Sequence, residues 1–268
     1  MMRWIKSVAA VSLVLIAGAA GSKAALAQNF QVSQNGKSVG TANLLLSKAA
    51  SGFTATSAAN INMPGLNYKF TENESLDAGY RLTQVQLNGT VNGTTATVNT
   101  SKLGAQFLMK INANGGVTTT PLVMHPHAVF MPDFDPGALQ VLLNLGAAHN
   151  NADMWALIPK QSGSIAAMRI VTNADMQGTL DGKQIAVHHL IVSYDSTKAE
   201  LFSSPANELL QAEWRDEGFA LVRQGFKLTP PARPGIPPPA PKQPATQQPT
   251  QQPARPAQPP AQAPQPQQ

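Results

Sequence analysis

Polar and apolar residues alternate along most of the chain in short runs, and turn dipeptides separate the runs. Phe30 and Val32 lead into Asn35-Gly36, a pair suited to a tight hairpin because both positions tolerate positive φ. Val39 to Leu46 is the predicted return strand, and 52–61 and 66–72 follow, separated by Met63-Pro64-Gly65. Next comes 80–87, then the turn candidates Asn88-Gly89 and Asn92-Gly93, of which the second is preferred. Residues 103–111 turn at Asn114-Gly115-Gly116 into 117–124. In the second half the same reading gives strands over 154–158, 164–171, 184–194 (after Asp181-Gly182), 199–202, 208–214 and 219–228.

One segment breaks this period. Asp135 is placed to cap a helix, Pro136 suits its first turn, and Leu139, Leu142 and Leu143 recur at helical spacing, which predicts a helix over about 135–148. The expected fold class is therefore α+β and strand-dominated. It is a long antiparallel meander curled into a half-barrel, because a sheet of that length must curl or close. The lone helix is expected on the concave, apolar side.

The two ends stand apart from this pattern. Residues 1–27 have the three parts of a secretory signal: Arg3 and Lys6, an uncharged apolar stretch from Ser7 to Ser22, and the small-x-small site Ala25-Leu26-Ala27. Cleavage is expected between Ala27 and Gln28, which predicts a periplasmic or secreted protein. The apolar run is shorter than the roughly 20 residues needed to span a bilayer, so no transmembrane segment is expected in the mature chain. Residues 229–268 hold 15 of the 22 prolines, with Gln and Ala filling most of the rest. Such a tail is expected to be disordered and partly polyproline II, reaching on the order of 120 Å if extended. It reads either as an unselective solubilising tail or as a docking arm for an envelope partner, and the first reading is preferred. A single domain over 28–228 lies between these ends.

Charge and composition remove several function classes. The domain carries 13 basic and 14 acidic side chains, so the chain's overall basicity belongs to its ends. A nucleic-acid partner would need a concentrated basic surface. The chain has no cysteine, which excludes thiol catalysis, Cys-ligated zinc and N-terminal Cys lipidation. There is no nucleophile turn of the G-x-S-x-G type, no phosphate-cradling glycine loop, no dinucleotide fingerprint and no calcium loop. No cofactor is expected, and the balance favours a protein without covalent chemistry.

The polar residues that could carry chemistry are few. His125 and His127, two apart on a strand, face one way, and Asp133 could complete a metal site. Pro126 interrupts that strand, and Asp133 has an ordinary alternative in a turn. His188 and His189 are adjacent and so point to opposite faces. Glu72 and Glu74 are the nearest pair of carboxylates, with nothing else to mark them as catalytic. Nine methionines and nine phenylalanines leave apolar surface as the main resource, for a core or for an apolar ligand.

Two stretches are similar to a known group. One is F-x-V-x-x-N-G-K-x-V-G from Phe30 to Gly40. The other runs from Ala199-Glu200-Leu201-Phe202 through Leu209-Leu210-Gln211-Ala212-Glu213 to Gly218-Phe219-Ala220-Leu221-Val222-Arg223. In strand order and these motifs the chain resembles uncharacterised bacterial envelope proteins grouped with the lipoprotein-carrier (LolA/LolB-like) half-barrels. The resemblance implies a curved antiparallel sheet around helical elements, with a concavity that holds acyl chains. It transfers no individual lipid-contact or catalytic residue. Two readings follow: a periplasmic binding protein or carrier for an apolar or acyl-bearing ligand, or a structural protein recruiting a partner through a sheet edge or the tail.

Overall fold

The structure is a computed structural model that describes residues 25–160 and 162–230. Most of the predicted signal and nearly all of the predicted tail lie outside the described residues.

The first half is a continuous antiparallel meander. It comprises β1 (Leu26–Gln34), β2 (Lys37–Ala49), β3 (Gly52–Met63), β4 (Leu66–Asp77), β5 (Leu82–Val91), β6 (Thr94–Leu103), β7 (Gln106–Ala113) and β8 (Gly116–Val123). Asn35 and Gly36 both have positive φ (49° and 76°), the geometry that a two-residue turn demands. A short β9 (Ala128–Phe130) then leads to α1 (Pro136–Ala148), and β10 (Trp155–Ile158) pairs in parallel with β9.

The second half is β11 (Ser164–Thr172), β12 (Met176–Leu180), β13 (Lys183–Tyr194), β14 (Thr197–Ser203), β15 (Leu209–Trp214), β16 (Phe219–Arg223) and β17 (Phe226–Thr229). β11, β13, β14, β15 and β16 pair in that order, and β16 pairs with β1. β1 therefore joins the two halves, with Phe30 opposite Ala42 on one side and Arg223 on the other. At the far edges β8 and the β10–β11 hairpin approach each other, where the Thr120 hydroxyl donates to the Ser162 carbonyl (2.5 Å). The result is a strand-dominated antiparallel meander with a barrel-like curl and one α-helix among the described residues.

Alternation in the sequence decides what faces inward. On β1 Phe30 and Val32 are buried, on β2 Ala42, Leu44 and Leu46, and on β7 Phe107, Met109 and Ile111. β3 contributes the small side chains Ala55, Ser57 and Ala59, and this thin patch is where α1 packs, against β2 and β3. Ala138, Leu139, Val141, Leu142, Leu143 and Leu145 of α1 are all buried, so the helix fills part of the interior. Gln140 anchors it to the β14–β15 loop. Its Nε2 donates to the Asn207 carbonyl (2.7 Å) and its Oε1 accepts from the Leu209 amide (2.8 Å).

A second, smaller core lies apart from the first. β12 pairs with both β13 and β17, forming a flap over Val187, Phe202, Leu210 and Phe226.

Several strands differ from those the alternation predicts. β6 is polar (T-T-A-T-V-N-T-S-K-L) and carries little apolar signal; the segment expected at 103–111 is β7, which begins at Gln106. The strand expected over 219–228 is two, split by Gln224 and Gly225, whose φ is +81°. β1 begins at Leu26, four residues before Phe30, and its first three residues pair with Leu44 to Leu46 of β2.

Candidate functional site

The sequence-predicted metal candidates do not assemble. The His125 ring stacks on Trp155, with centroids 3.6 Å apart. His127 stacks on His149 (4.1 Å) and donates from Nδ1 to the Ala152 carbonyl (2.9 Å). Asp133 sits in an ion pair with Lys160 (2.9 Å). Among the described residues no three His, Cys, Asp or Glu side chains are grouped to hold a metal ion. His188 and His189 diverge as adjacent strand residues must. His188 bonds Asp175 and His189 bonds Glu200, both at 2.9 Å. The expected cleavage pair lies inside β1, with Ala27 opposite Leu45 and Gln28 opposite Leu44. The Gln28 side chain is buried, its amide oriented so that nitrogen faces the Leu209 carbonyl (3.2 Å) and oxygen faces the Arg223 guanidinium (2.9 Å).

One end of the barrel holds an apolar cavity of about 350 Å³. Tyr68, Leu87, Val98 and Ile111 of β4 to β7 form one wall, and the Pro132–Phe134 segment before α1 forms another. The Asp133–Lys160 pair, half-exposed on both sides, sits at its edge. Of the three metal candidates only Asp133 reaches this cavity; His125 and His127 are not part of its lining.

Deeper along the same strand lies a buried acidic cluster. The inward row of β4 is Tyr68, Phe70, Glu72, Glu74 and Leu76, so strand alternation delivers two carboxyls into the core. Ser57 of β3 is opposite Glu72 and Ala55 is opposite Glu74. The third carboxyl is Asp135, the N-cap of α1, whose Oδ1 accepts from the Gly137 amide (2.7 Å). Glu72, Glu74 and Asp135 are each no more than 2% exposed. Both oxygens of Glu72 and of Glu74, Oδ2 of Asp135 and the hydroxyls of Ser57 and Thr100 have no hydrogen-bond donor or acceptor of ordinary kind. No ion pair among the described residues includes the three carboxyls.

Burial pushes all three carboxyls above their ordinary range. Glu72 is raised further by the charges of Asp135 and Glu74 and by hydrogen-bonding contact with both. The charge of Asp135 also raises Glu74; contact with Glu72 favours the anionic form of each neighbour, and Ser57 and the Gly137 and Ala138 amides do the same for Asp135. Together the three carboxyls hold protons that exposed ones would release. Protonated carboxyls supply the donors that the orphaned oxygens lack. Tyr68 is also pushed above its usual range, first by burial and then by Asp133, Asp135 and Glu72.

This cluster escaped the sequence reading in part. Glu72 and Glu74 stood out only as a nearby pair. The sign that they face the core was the alternation Phe70-x-Glu72-x-Glu74-x-Leu76, which continues an apolar row. Asp135 was legible as a cap, but its meeting with β4 is a tertiary contact that no local pattern encodes.

No family model matches the chain, and no curated protein matches it either. Among solved structures, it is similar to a β-barrel-like protein of domain of unknown function DUF1849 from Brucella abortus. The TM-score is 0.50 at 10% identity, over 77% of this chain and 97% of that chain. A DUF1089 family protein from Pseudomonas aeruginosa matches with TM-score 0.37 and 12% identity, over 63% of this chain and 87% of that one. The first likeness shows a shared β-barrel-like fold.

Proposed function

We propose that the chain is a binding protein or carrier of the bacterial periplasm that holds an apolar or acyl-bearing ligand without covalent chemistry. The observation that carries this reading is the apolar cavity of about 350 Å³ at the end of the barrel. Its size is at the small end of the range for ligand pockets, about 300–1,000 Å³, which suits a single chain rather than a multi-chain lipid. Each buried methylene contributes about 0.8 kcal/mol, so binding needs no specific polar residue, and the Asp133–Lys160 pair gives a polar head a place at the edge. The resemblance of the terminal motifs to lipoprotein carriers supports the same reading, as does the signal-like N-terminal segment.

A filled interior speaks for the alternative, a structural protein of the envelope. α1 fills part of the concave side, and the cavity lies at one end of the barrel. Native mass spectrometry of the chain purified from a bacterial periplasm, with an organic extract run beside it, separates the two. The carrier reading expects a mass increment that extracts as a lipid. Ala113→Phe, which puts a ring into the cavity from its wall, should lower that occupancy on the order of tenfold or more, the effect of about 1.4 kcal/mol. A clean apo mass with no uptake of offered fatty acids or phospholipids refutes the carrier and leaves the scaffold, with the proline-rich tail as its docking arm.

A further inference from the structure

The carboxyl cluster and the cavity share a wall. Pro132, Asp133 and Phe134 line the cavity, and the next residue, Asp135, is the cluster's third carboxyl and the cap of α1. The strand opposite is also shared, since Tyr68 lines the cavity and Glu72 and Glu74 follow it on the inward row of β4. Two contacts join this segment to β4: Phe134 packs on Tyr68, with ring centroids 6.4 Å apart, and deeper in Asp135 meets Glu72.

We propose that Glu72, Glu74 and Asp135 form a proton-operated latch on the cavity wall. While protons are bound, carboxyl-to-carboxyl hydrogen bonds tie the start of α1 to β4. When the protons leave, like charges buried side by side drive the Pro132–Asp135 segment away from β4 and open the cavity. The acidity of the cluster does not stand alone. The Ser57 hydroxyl, 2% exposed, lies opposite Glu72 in register and adjoins Asp135, whose anion it favours, without a hydrogen bond of good geometry. Bound protons give this buried group of hydroxyl and carboxyl oxygens the donors that no neighbouring protein group supplies.

Among the described residues the surroundings offer no countercharge to hold the anions once formed. β3 presents Ser57 and Ala55, β5 presents Val85 and Leu87, β6 presents Thr100, and β4 adds the Tyr68 phenol. α1 presents the Gly137 and Ala138 amides, which serve Asp135 alone. Asp133 adds a further negative charge, and the nearby cation, Lys160, is already paired with it at the half-exposed edge. The pH sense follows from the raised carboxyls. The folded form keeps protons that the unfolded chain releases near pH 4, so the latch is strongest below about pH 4 and weakens as pH rises through the folded-state values.

The latch is tested on ligand-free protein, so its failure is separate from failure of the carrier reading. Hydrogen exchange across 132–140, corrected for intrinsic rates, is compared at about pH 5 and about pH 9, with protection expected to fall on the order of tenfold or more at the higher pH. Glu72→Gln with Glu74→Gln, whose carboxamides carry no proton to lose, should abolish that difference. Carbon-13 titration of the Glu side chains in the wild-type chain gives an answer even if the double variant does not fold. Two glutamates still protonated near neutral pH support the latch, and midpoints for all of them near the unperturbed value of about 4.3 overturn it. Recovery of protection at high pH on adding millimolar calcium also overturns it, by showing that the cluster is a cation site.

Discussion

At the residue scale the start of α1 depends on having no side chain at one position. A Cβ on Gly137 would lie 2.9 Å from the Ser57 Cβ and 3.1 Å from Asp135 Oδ1. Alanine gains up to about 1 kcal/mol of helix propensity over glycine, but overpacking of a closed core costs about 1–3 kcal/mol. Gly137→Ala is therefore expected to destabilise the fold, with a lower denaturation midpoint and an unchanged slope; a raised midpoint would show that Ser57 and Asp135 yield easily. Gln140 is the other critical side chain. Gln140→Ala strands the Leu209 amide in the core, a loss of about 1–3 kcal/mol, readable by urea denaturation. Replacement by glutamate recovers the acceptor for that amide and leaves the Asn207 carbonyl without its donor. It should rescue only part of the loss.

At the scale of elements, the helix and most hairpins were legible because their signals are local. Asp135-Pro136 with leucines at helical spacing marked α1 almost to the residue, and Asn-Gly and Asp-Gly pairs marked turns through the positive φ of Asn35, Asn92, Asn114 and Asp181. The strands that were missed have weak local signals. In β6 only Val98 and Thr100 are buried, β9 is three residues long, and β12 owes its place to β17 and the small core beneath it. That flap is a separable unit. Phe226→Ala removes its largest side chain at a cost of about 3–5 kcal/mol. Exchange protection should fall across β12, β17 and the first half of β13 and remain intact in β2 to β7. Uniform loss across the barrel would show instead that the two cores unfold as one.

At the scale of the whole molecule, the curved meander with its helix inside was readable from strand number and length, since a sheet so long must curl. The cavity and the acidic cluster were not, because both arise where β4 meets the loop into α1 across more than sixty intervening residues. Alternation placed Glu72 and Glu74 on the inward face; only the fold shows that Asp135 comes down on them. The seam is the other property visible only at this scale. β8 has a paired neighbour in β7, and on its other side the described link is the Thr120 bond to Ser162. Amides of β8 on the seam side are therefore expected to exchange faster than those of β7, a difference that residue-resolved exchange would record.

The position of β1 sets an order of events during folding. One of its neighbours, β2, follows it directly in sequence, while the other, β16, lies near the opposite end of the described residues. Until β16 docks, β1 exposes a ready edge, the kind of surface that invites pairing with another chain. Pairings so distant in sequence also form slowly. Folding therefore passes through an interval, from the first hairpin to the docking of β16, in which the barrel-like sheet competes with pairing between chains.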